Sequence, residues 1–113
     1  MTDPIKVHIT GVYGLIGNLI YKHLSQWPAH YELYGSGRRQ ASSRRADEDG
    51  RIELPDGRFC IADISDARAV GRALDGMDAV LHIATVPGPE DSFNDVMESN
   101  IRGTYNVLEA CRN

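Results

Sequence analysis

One stretch constrains this chain more than any other: Val7-His8-Ile9-Thr10-Gly11-Val12-Tyr13-Gly14-Leu15-Ile16-Gly17. An apolar run from Ile5 to Ile9 breaks at Thr10-Gly11, and a new apolar period starts at Leu15. That pattern predicts a strand, a tight turn and a helix start. The glycines fall as G-x-x-G-x-x-G, and each has a physical task. Gly11 allows the sharp turn off the strand, Gly14 lets backbone approach a phosphate with no Cβ in the way, and Gly17 lets the helix pack closely on the strand. The helix N-terminus behind them offers unpaired N–H groups and a partial positive charge, the setting in which a pyrophosphate is held.

The rest of the chain continues the alternation. Ile5 to Thr10 is apolar enough for a strand buried on both faces, with His8 expected to be a packed residue of that strand. Leu15, Ile16, Leu19, Ile20 and Leu24 recur at helical spacing, so the first helix is expected to run to about Gln26, before Trp27-Pro28. Tyr31 to Gly35 reads as the second strand, stopping at Ser36-Gly37. Arg38 to Gly50 reads as polar loop, and Arg51 to Leu54 as a short strand or hairpin arm before the turn residues Pro55-Asp56-Gly57. Arg58 to Ala62 is the expected third strand. Ser65-Asp66 can cap a helix from Ala67 to Leu74, which Gly76 stops. Asp78 to Ala84 is the fourth strand, and Pro87-Gly88-Pro89 is loop. Ser92 can cap a last helix through Phe93, Val96, Met97, Ile101, Tyr105, Leu108 and Cys111, in which Gly103 implies close packing. Strands alternating with helices mean crossover connections and a mostly parallel sheet.

Length and composition exclude several classes. The 113 residues suffice for one domain, spanning 1–113. A net charge of −4 gives no basic excess for nucleic acid, and the apolar runs are too short to span a membrane. Met1-Thr2-Asp3-Pro4 lacks the regions of a signal peptide, so a cytoplasmic setting is expected, with Cys60 and Cys111 as separate buried thiols. A P-loop needs Gly-Lys-Ser/Thr, whereas Gly17 is followed by Asn18, and Gly35-Ser36-Gly37 lacks the spacers of a nucleophile elbow. The histidines His8, His23, His30 and His82 make no metal-ligand spacing with either cysteine, and His82 has no catalytic partner in sequence.

Ligands of an open α/β sheet bind at the carboxyl ends of the strands. Here those ends carry Thr10-Gly11, Ser36-Gly37-Arg38, Ala62-Asp63-Ile64 and His82 to Thr85, which suits a dinucleotide. NAD-selective sites place Asp or Glu after the second strand to accept from the ribose 2′-hydroxyl. This chain has Arg38-Arg39 there, which can pair with a 2′-phosphate, so NADP is expected ahead of NAD, unless the arginines merely begin the solvated loop. Asp63 could accept from the adenine amino group, or simply flank the Ser65-Asp66 cap.

These motifs together resemble the extended short-chain dehydrogenase/reductases, the NAD(P)-dependent epimerase/dehydratase group. Thr10-Gly11-x-x-Gly14-x-x-Gly17 is similar to its fingerprint, and Ala62-Asp63-Ile64 to its adenine-holding Asp-Leu/Ile. Asp78 to Ala84 resembles its D-x-V-x-H-x-A-A strand, with Thr85 in place of the second alanine. Asn100-x-x-Gly103-Thr104-x-Asn106-Val107-Leu108-Glu109-Ala110 resembles its N-x-x-G-T-x-N-x-L-E-A helix. The resemblance implies a Rossmann-like, doubly wound parallel sheet, incomplete, with strand order 3-2-1-4 and flanking helices. It places Gly11, Gly14 and Gly17 on the pyrophosphate, with Tyr13, Leu15 and Ile16 of the same turn. Asp63 and Ile64 then lie at the adenine, Ala84 and Thr85 beside the nicotinamide ribose, and Asn100 supports the site from the last helix. Arg38 matches members that prefer NADP.

The family's Tyr-x-x-x-Lys pair is absent, because Lys6 and Lys22 have no tyrosine four residues before them. The chain therefore resembles the N-terminal, cofactor-binding half of a longer oxidoreductase, epimerase or dehydratase acting on a sugar, a sugar nucleotide or a related carbonyl compound. No catalytic residue is assigned within it. Homodimerisation through the last helix is expected from the same resemblance. A non-catalytic NAD(P)-sensing or interaction module is the alternative.

Overall fold

The computed structural model describes residues 3–38, 52–85 and 92–112. Most of the expected loop after Arg38, together with Arg51 and Pro87-Gly88-Pro89, lies outside the described residues. The elements are β1 (Ile5–Thr10), α1 (Leu15–Leu24), β2 (Tyr31–Gly37), β3 (Phe59–Ile61), α2 (Ala67–Leu74), β4 (Ala79–His82), α3 (Phe93–Val96), a π-helical segment (Met97–Arg102) and α4 (Gly103–Arg112). The sheet is parallel, in the order β3-β2-β1-β4. The doubly wound arrangement expected from the sequence is thus present.

The alternation of β1 separates two cores. Val7 and Ile9 point to one face, where they join Val12, Tyr13, Leu33 and Leu54 beneath Ile20, Tyr21 and Leu24 of α1. On the other face Ile64, Val70, Leu74 and Val107 pack with Val80, Ala84 and Ala110, between α2, α4 and the sheet. His8 and Thr10 take the second face by the same period of two. Register places Thr10 opposite Ser36 on one side and His82 on the other.

Several boundaries depart from expectation, each for a local reason. β2 runs on to Gly37, because Thr10 pairs with Ser36 and β3 pairs with Gly35 to Gly37. β4 ends at His82 rather than Ala84, since the N–H groups of Ile83 and Ala84 turn to the Thr10 hydroxyl. β4 begins at Ala79 rather than Asp78, whose carboxylate instead accepts from the Lys6 N–H at 2.9 Å. β3 is shorter at both ends than Arg58 to Ala62, although the Ala62 N–H still bonds Gly37 C=O. α1 stops at Leu24, after which the bonds tighten to three residues back, Gln26 N–H to His23 C=O and Trp27 N–H to Leu24 C=O, while the Ser25 hydroxyl joins its own N–H on Tyr21 C=O.

Ile52 to Pro55 forms no strand; Leu54 is instead a core residue held by irregular chain, 5% exposed, its N–H reaching the Tyr13 hydroxyl. The last helix is interrupted by the π-helical segment, which the three-and-four spacing of its apolar residues does not reveal. Gly103 does mark close packing: a Cβ there would lie 2.5 Å from Ile64 Cδ1. Cys60 is half-buried, but Cys111 is exposed on the outer side of α4, contrary to the expectation that both would be buried.

Candidate functional site

The turn from β1 into α1 has the geometry its glycines predict. Gly11 has φ +68°, a left-handed conformation that a side chain would strain. Gly14 is the N-cap of α1, and no side chain caps the helix. The first bond of the helical ladder is Asn18 N–H to Gly14 C=O, at 2.9 Å. The N–H groups of Leu15, Ile16 and Gly17 therefore have no partner within the helix, and no acidic residue sits in the first turn to neutralise them. Gly17 is a packing glycine: a Cβ there would fall 2.2 Å from Gly11 C=O and 2.8 Å from Val12 Cα. The turn is thus closed on its inner side and bare at the helix end, a cradle suited to a pyrophosphate.

Beside the turn lies a groove of about 110 Å³, lined by Gly11, Ser36, Gly37, Arg38, Ala62, Ile64, Ala84, Thr85 and Ser99. It joins the carboxyl ends of all four strands to the π-helical segment. Gly11 and Ala84 meet at its floor, where a Cβ on Gly11 would lie 2.9 Å from Ala84 Cα. Arg38 is exposed at the end of β2. Asp63 stands near it, with its Oδ1 accepting from the Ser65 N–H at 2.9 Å and the Ser65 hydroxyl at 2.8 Å. Those bonds, the backbone one first, hold its carboxyl below the usual range, with a smaller pull from Arg38. Asp63 is thus both an exposed anion at the groove's edge and part of the turn into α2.

Gly11, Arg38, Ile64, Ala84 and Thr85 line the groove directly. Gly14, Leu15, Ile16 and Gly17 form the uncapped turn beside it, the Ile16 side chain being exposed and Leu15 half-buried. Asn100 meets the groove through Thr85, whose hydroxyl donates to Asn100 Oδ1 at 2.7 Å. Tyr13 differs: its ring is 7% exposed, packs edge-on against Phe59 and accepts the Leu54 N–H. Only its main chain is left facing the turn. Ser36 lines the groove as its place at the expected strand end implies, whereas Ser99 carries no sequence signal: it is small and polar in a stretch of mixed character, and only the π-helical segment brings it to the groove.

Behind the groove a set of neutral polar contacts is partly or fully buried. Thr10 Oγ1 accepts from the Ile83 and Ala84 N–H groups at 2.9 and 3.1 Å and lies 2.8 Å from His82 Nδ1. Deeper on the same face, His8 Nε2 is 2.9 Å from Ser36 Oγ, while His8 Nδ1 is buried without a partner. Burial pushes the His8 imidazole down to about 4, and it lowers His82 as well. Both histidines are structural members of the sheet. Among the described residues no three His, Cys, Asp or Glu side chains gather as a metal site, and no helix is long and apolar enough to cross a membrane.

Comparison with known proteins agrees with this geometry. The model of the NAD dependent epimerase/dehydratase family matches residues 7–113. An NAD-dependent glucose-6-phosphate dehydrogenase of Haloferax volcanii is 30% identical over 110 residues, covering 97% of this chain and 38% of that protein. The dTDP-glucose 4,6-dehydratase 1 of Escherichia coli is 31% identical over 119 residues, covering 96% and 31%. The crystal structure of a Thermus thermophilus UDP-glucose 4-epimerase complexed with NAD superposes with a TM-score of 0.74 at 28% identity, covering 96% of this chain and 34% of that one. The chain spans about a third of the length of these relatives. These three relatives are a dehydrogenase, a dehydratase and an epimerase, each named for a sugar phosphate or sugar nucleotide.

Proposed function

Because this chain belongs to the NAD dependent epimerase/dehydratase family, we propose that residues 1–113 form its dinucleotide-binding Rossmann domain, the N-terminal portion of an oxidoreductase, epimerase or dehydratase acting on a sugar or sugar nucleotide. The observation that carries this reading is the uncapped N-terminus of α1, opening behind Gly11, Gly14 and Gly17 onto the groove at the strand ends. Leu15, Ile16 and Gly17 N–H groups would hold the pyrophosphate. Asp63 and Ile64 would hold the adenine, and Ala84, Thr85 and Asn100 would border the nicotinamide ribose. A nicotinamide bound there supplies the hydride acceptor or donor. This chain's residues bind and orient it, and with no Tyr-x-x-x-Lys in the sequence the proton transfer is assigned to residues outside this chain.

NADP is the preferred cofactor in this reading. Arg38 stands exposed at the end of β2, where it would meet a ribose 2′-phosphate, and the sequence directly after β2 reads Arg38-Arg39 in place of an Asp or Glu that would accept from a 2′-hydroxyl. Titration of the chain is expected to give tighter binding of NADPH than of NADH. Arg38→Ala should remove about tenfold of that preference, the worth of one charge-assisted hydrogen bond. Equal affinities in the unaltered chain would overturn the NADP assignment, and no binding of either would overturn the dinucleotide reading.

The last helix supports homodimerisation. Phe93, Ile101, Tyr105 and Leu108 are each more than half exposed, and Met97 lies in the same series at 37%. They recur at intervals of three or four residues, an apolar stripe suited to a second copy. Sedimentation should give a dimer. The free thiols of Cys60 and Cys111 fit a reducing, cytoplasmic setting.

A further inference from the structure

The hydrogen bonds around His82 fix the direction of every proton in the chain that joins the two walls of the groove. Thr10 Oγ1 accepts the Ile83 N–H at 2.9 Å and the Ala84 N–H at 3.1 Å, which uses both of its lone pairs. Its own proton must therefore be donated, and His82 Nδ1 is there at 2.8 Å. That nitrogen is an acceptor, so the ring proton of the neutral imidazole sits on Nε2 and is donated to Thr104 Oγ1 at 3.1 Å. The Thr104 hydroxyl in turn donates to Asn100 C=O at 2.7 Å, and Asn100 Oδ1 accepts from the Thr85 hydroxyl. The series starts at the end of β1, crosses β4 and ends in the π-helical segment. Residues bonded to or next to the series line the groove: Ala84 and Thr85 on one wall, and Ser99, the neighbour of Asn100, on the other.

We propose that His82, as the neutral Nε2–H tautomer, is the positioning residue that holds the strand end Ile83-Ala84-Thr85 against the π-helical segment, and that dinucleotide affinity depends on this tautomer. His82 touches no cofactor atom in this arrangement; it acts through Thr10 and Thr104. The inference rests on the dinucleotide reading above.

Its consequence follows from counting protons. An imidazolium carries N–H on both nitrogens, and Nδ1–H would then need to donate to Thr10 Oγ1. That oxygen already accepts two N–H groups, so one of Ile83 or Ala84 must let go, and the Thr10 proton loses its acceptor. Ala84 is the residue that meets Gly11 at the groove floor, so its release deforms the surface on which the cofactor lies. Among the described residues the groups that meet the ring from β1 and α4 are hydroxyls, those of Thr10 and Thr104. The titratable groups on that face of β1 are His8, two residues before Thr10 and bonded to Ser36, and Lys6, exposed near the start of the strand. Glu98 and Arg102 of the π-helical segment pair with each other at 3.2 Å, both more than half exposed, and Asp78 at the start of β4 is engaged by the Lys6 N–H. Burial alone shifts the ring, downward, which favours the neutral form that the series requires.

The test reads the ring and the ligand separately. Nitrogen chemical shifts of the His82 ring are expected to report the Nε2–H tautomer near neutral pH, and the protection of the Ile83 and Ala84 amides, taken relative to intrinsic exchange at each pH, should fall when the ring protonates. NAD+ is the probe for affinity, because its pyrophosphate does not titrate in the range used. Binding should weaken about tenfold as pH falls through the titration of the His82 ring, located by its nitrogen shifts, the worth of one hydrogen bond lost at the groove floor. His82→Asn keeps an acceptor oxygen near the place of Nδ1 and cannot titrate. It should bind NAD+ within about threefold of the unaltered chain near neutrality and lose the pH dependence. An Nδ1–H tautomer, or the same pH slope in His82→Asn, overturns the proposal. If His82→Asn does not fold, the tautomer and the amide exchange of the unaltered chain still decide it. Absence of NAD+ binding at any pH, with the expected tautomer and exchange, overturns the dinucleotide reading and the positioning role together.

Discussion

The two faces of β1 are built by different chemistry. Val7 and Ile9 look toward α1 into a core of aliphatic and aromatic side chains, and Ile9 is fully buried. His8 and Thr10, one residue along, are just as buried at 2% exposure, but they look toward α4 into hydroxyl and imidazole groups. The apolar face gains stability from every methylene it hides. The polar face must satisfy each donor and acceptor merely to avoid a penalty. What the second face gains is direction. Ser36, Thr10 and His82 stand side by side across β2, β1 and β4 and orient the strand ends that border the groove. One face holds the domain together, and the other arranges its binding edge.

Substitutions that separate stability from binding break or sharpen that contrast. The largest effect is expected on the apolar face. Ile9→Ala removes three heavy atoms from a site with no exposure and should lower unfolding free energy by about 4 kcal/mol, with a cavity contribution included. Denaturant midpoints with an unchanged slope would measure it. A loss under about 1 kcal/mol would mean that the α1 face is not the tightly packed one.

Next comes acid, which acts on the polar face of β1 and leaves the apolar one untouched. The His8 imidazole has an ordinary value of 6.5 and is held at about 4 by burial. The unfolded chain therefore binds a proton at higher pH than the folded one. Stability is fully present above about pH 6.5, falls as pH drops from there to about 4, and changes no further through this group below it. The drop amounts to about 3 kcal/mol across that window. His82 adds to it with the same sign. Urea melts as a function of pH would check this, and His8→Gln, which can still reach Ser36 without titrating, should flatten most of the curve.

Thr10→Val is smaller and more telling. It keeps the shape and β-branching of the residue but removes the acceptor used by the Ile83 and Ala84 N–H groups and the donor used by His82. A loss of about 2 kcal/mol is expected in melts, the cost of buried groups left unpaired. Dinucleotide affinity should fall more than the equally destabilising apolar variants would cause. If affinity falls no further than it does for an apolar variant of matched stability, the two faces do not divide their labour.

Much of this was legible in the sequence, and the rest was not, for physical reasons. β1, the turn at Gly11, and α2 from Ala67 to Leu74 follow from local patterns, since strand alternation, glycine spacing and an aspartate cap each act within a few residues. The pairings of His8 with Ser36 and of Thr10 with His82 are set by register between residues 28 and 72 apart in the chain, and single-residue periodicity carries no trace of them. The π-helical segment is hidden because its residues Met97 and Ile101 keep an interval of four, as any helix would. Tyr13 was grouped with its glycine neighbours, although its ring turns inward, where Phe59 and the Leu54 N–H receive it. Leu54 was read as a strand residue because apolar character alone does not tell a strand from a core-plugging irregular segment.

The same contrast extends to the helix ends. α2 is capped by Asp66, whose Oδ1 accepts from the Arg68 and Ala69 N–H groups at 3.0 and 3.2 Å. α1 begins with Gly14 and has no such cap. The first helix end is closed for stability, and the second is left open beside the groove. Asp66→Ala should therefore cost about 1 kcal/mol in melts, a typical cap contribution, with no change in dinucleotide affinity. Gly14→Ser should behave in the opposite way. A serine cap is worth only a few tenths of a kcal/mol over glycine, and its Cβ would crowd the Gly11 carbonyl oxygen at 3.2 Å, so a small gain and a small cost oppose each other and stability should change little. Its hydroxyl, however, would take up an N–H that the open helix end keeps for a phosphate, and dinucleotide binding should weaken. If Asp66→Ala weakened binding as much as Gly14→Ser, helix-end chemistry would not distinguish the open end from the closed one.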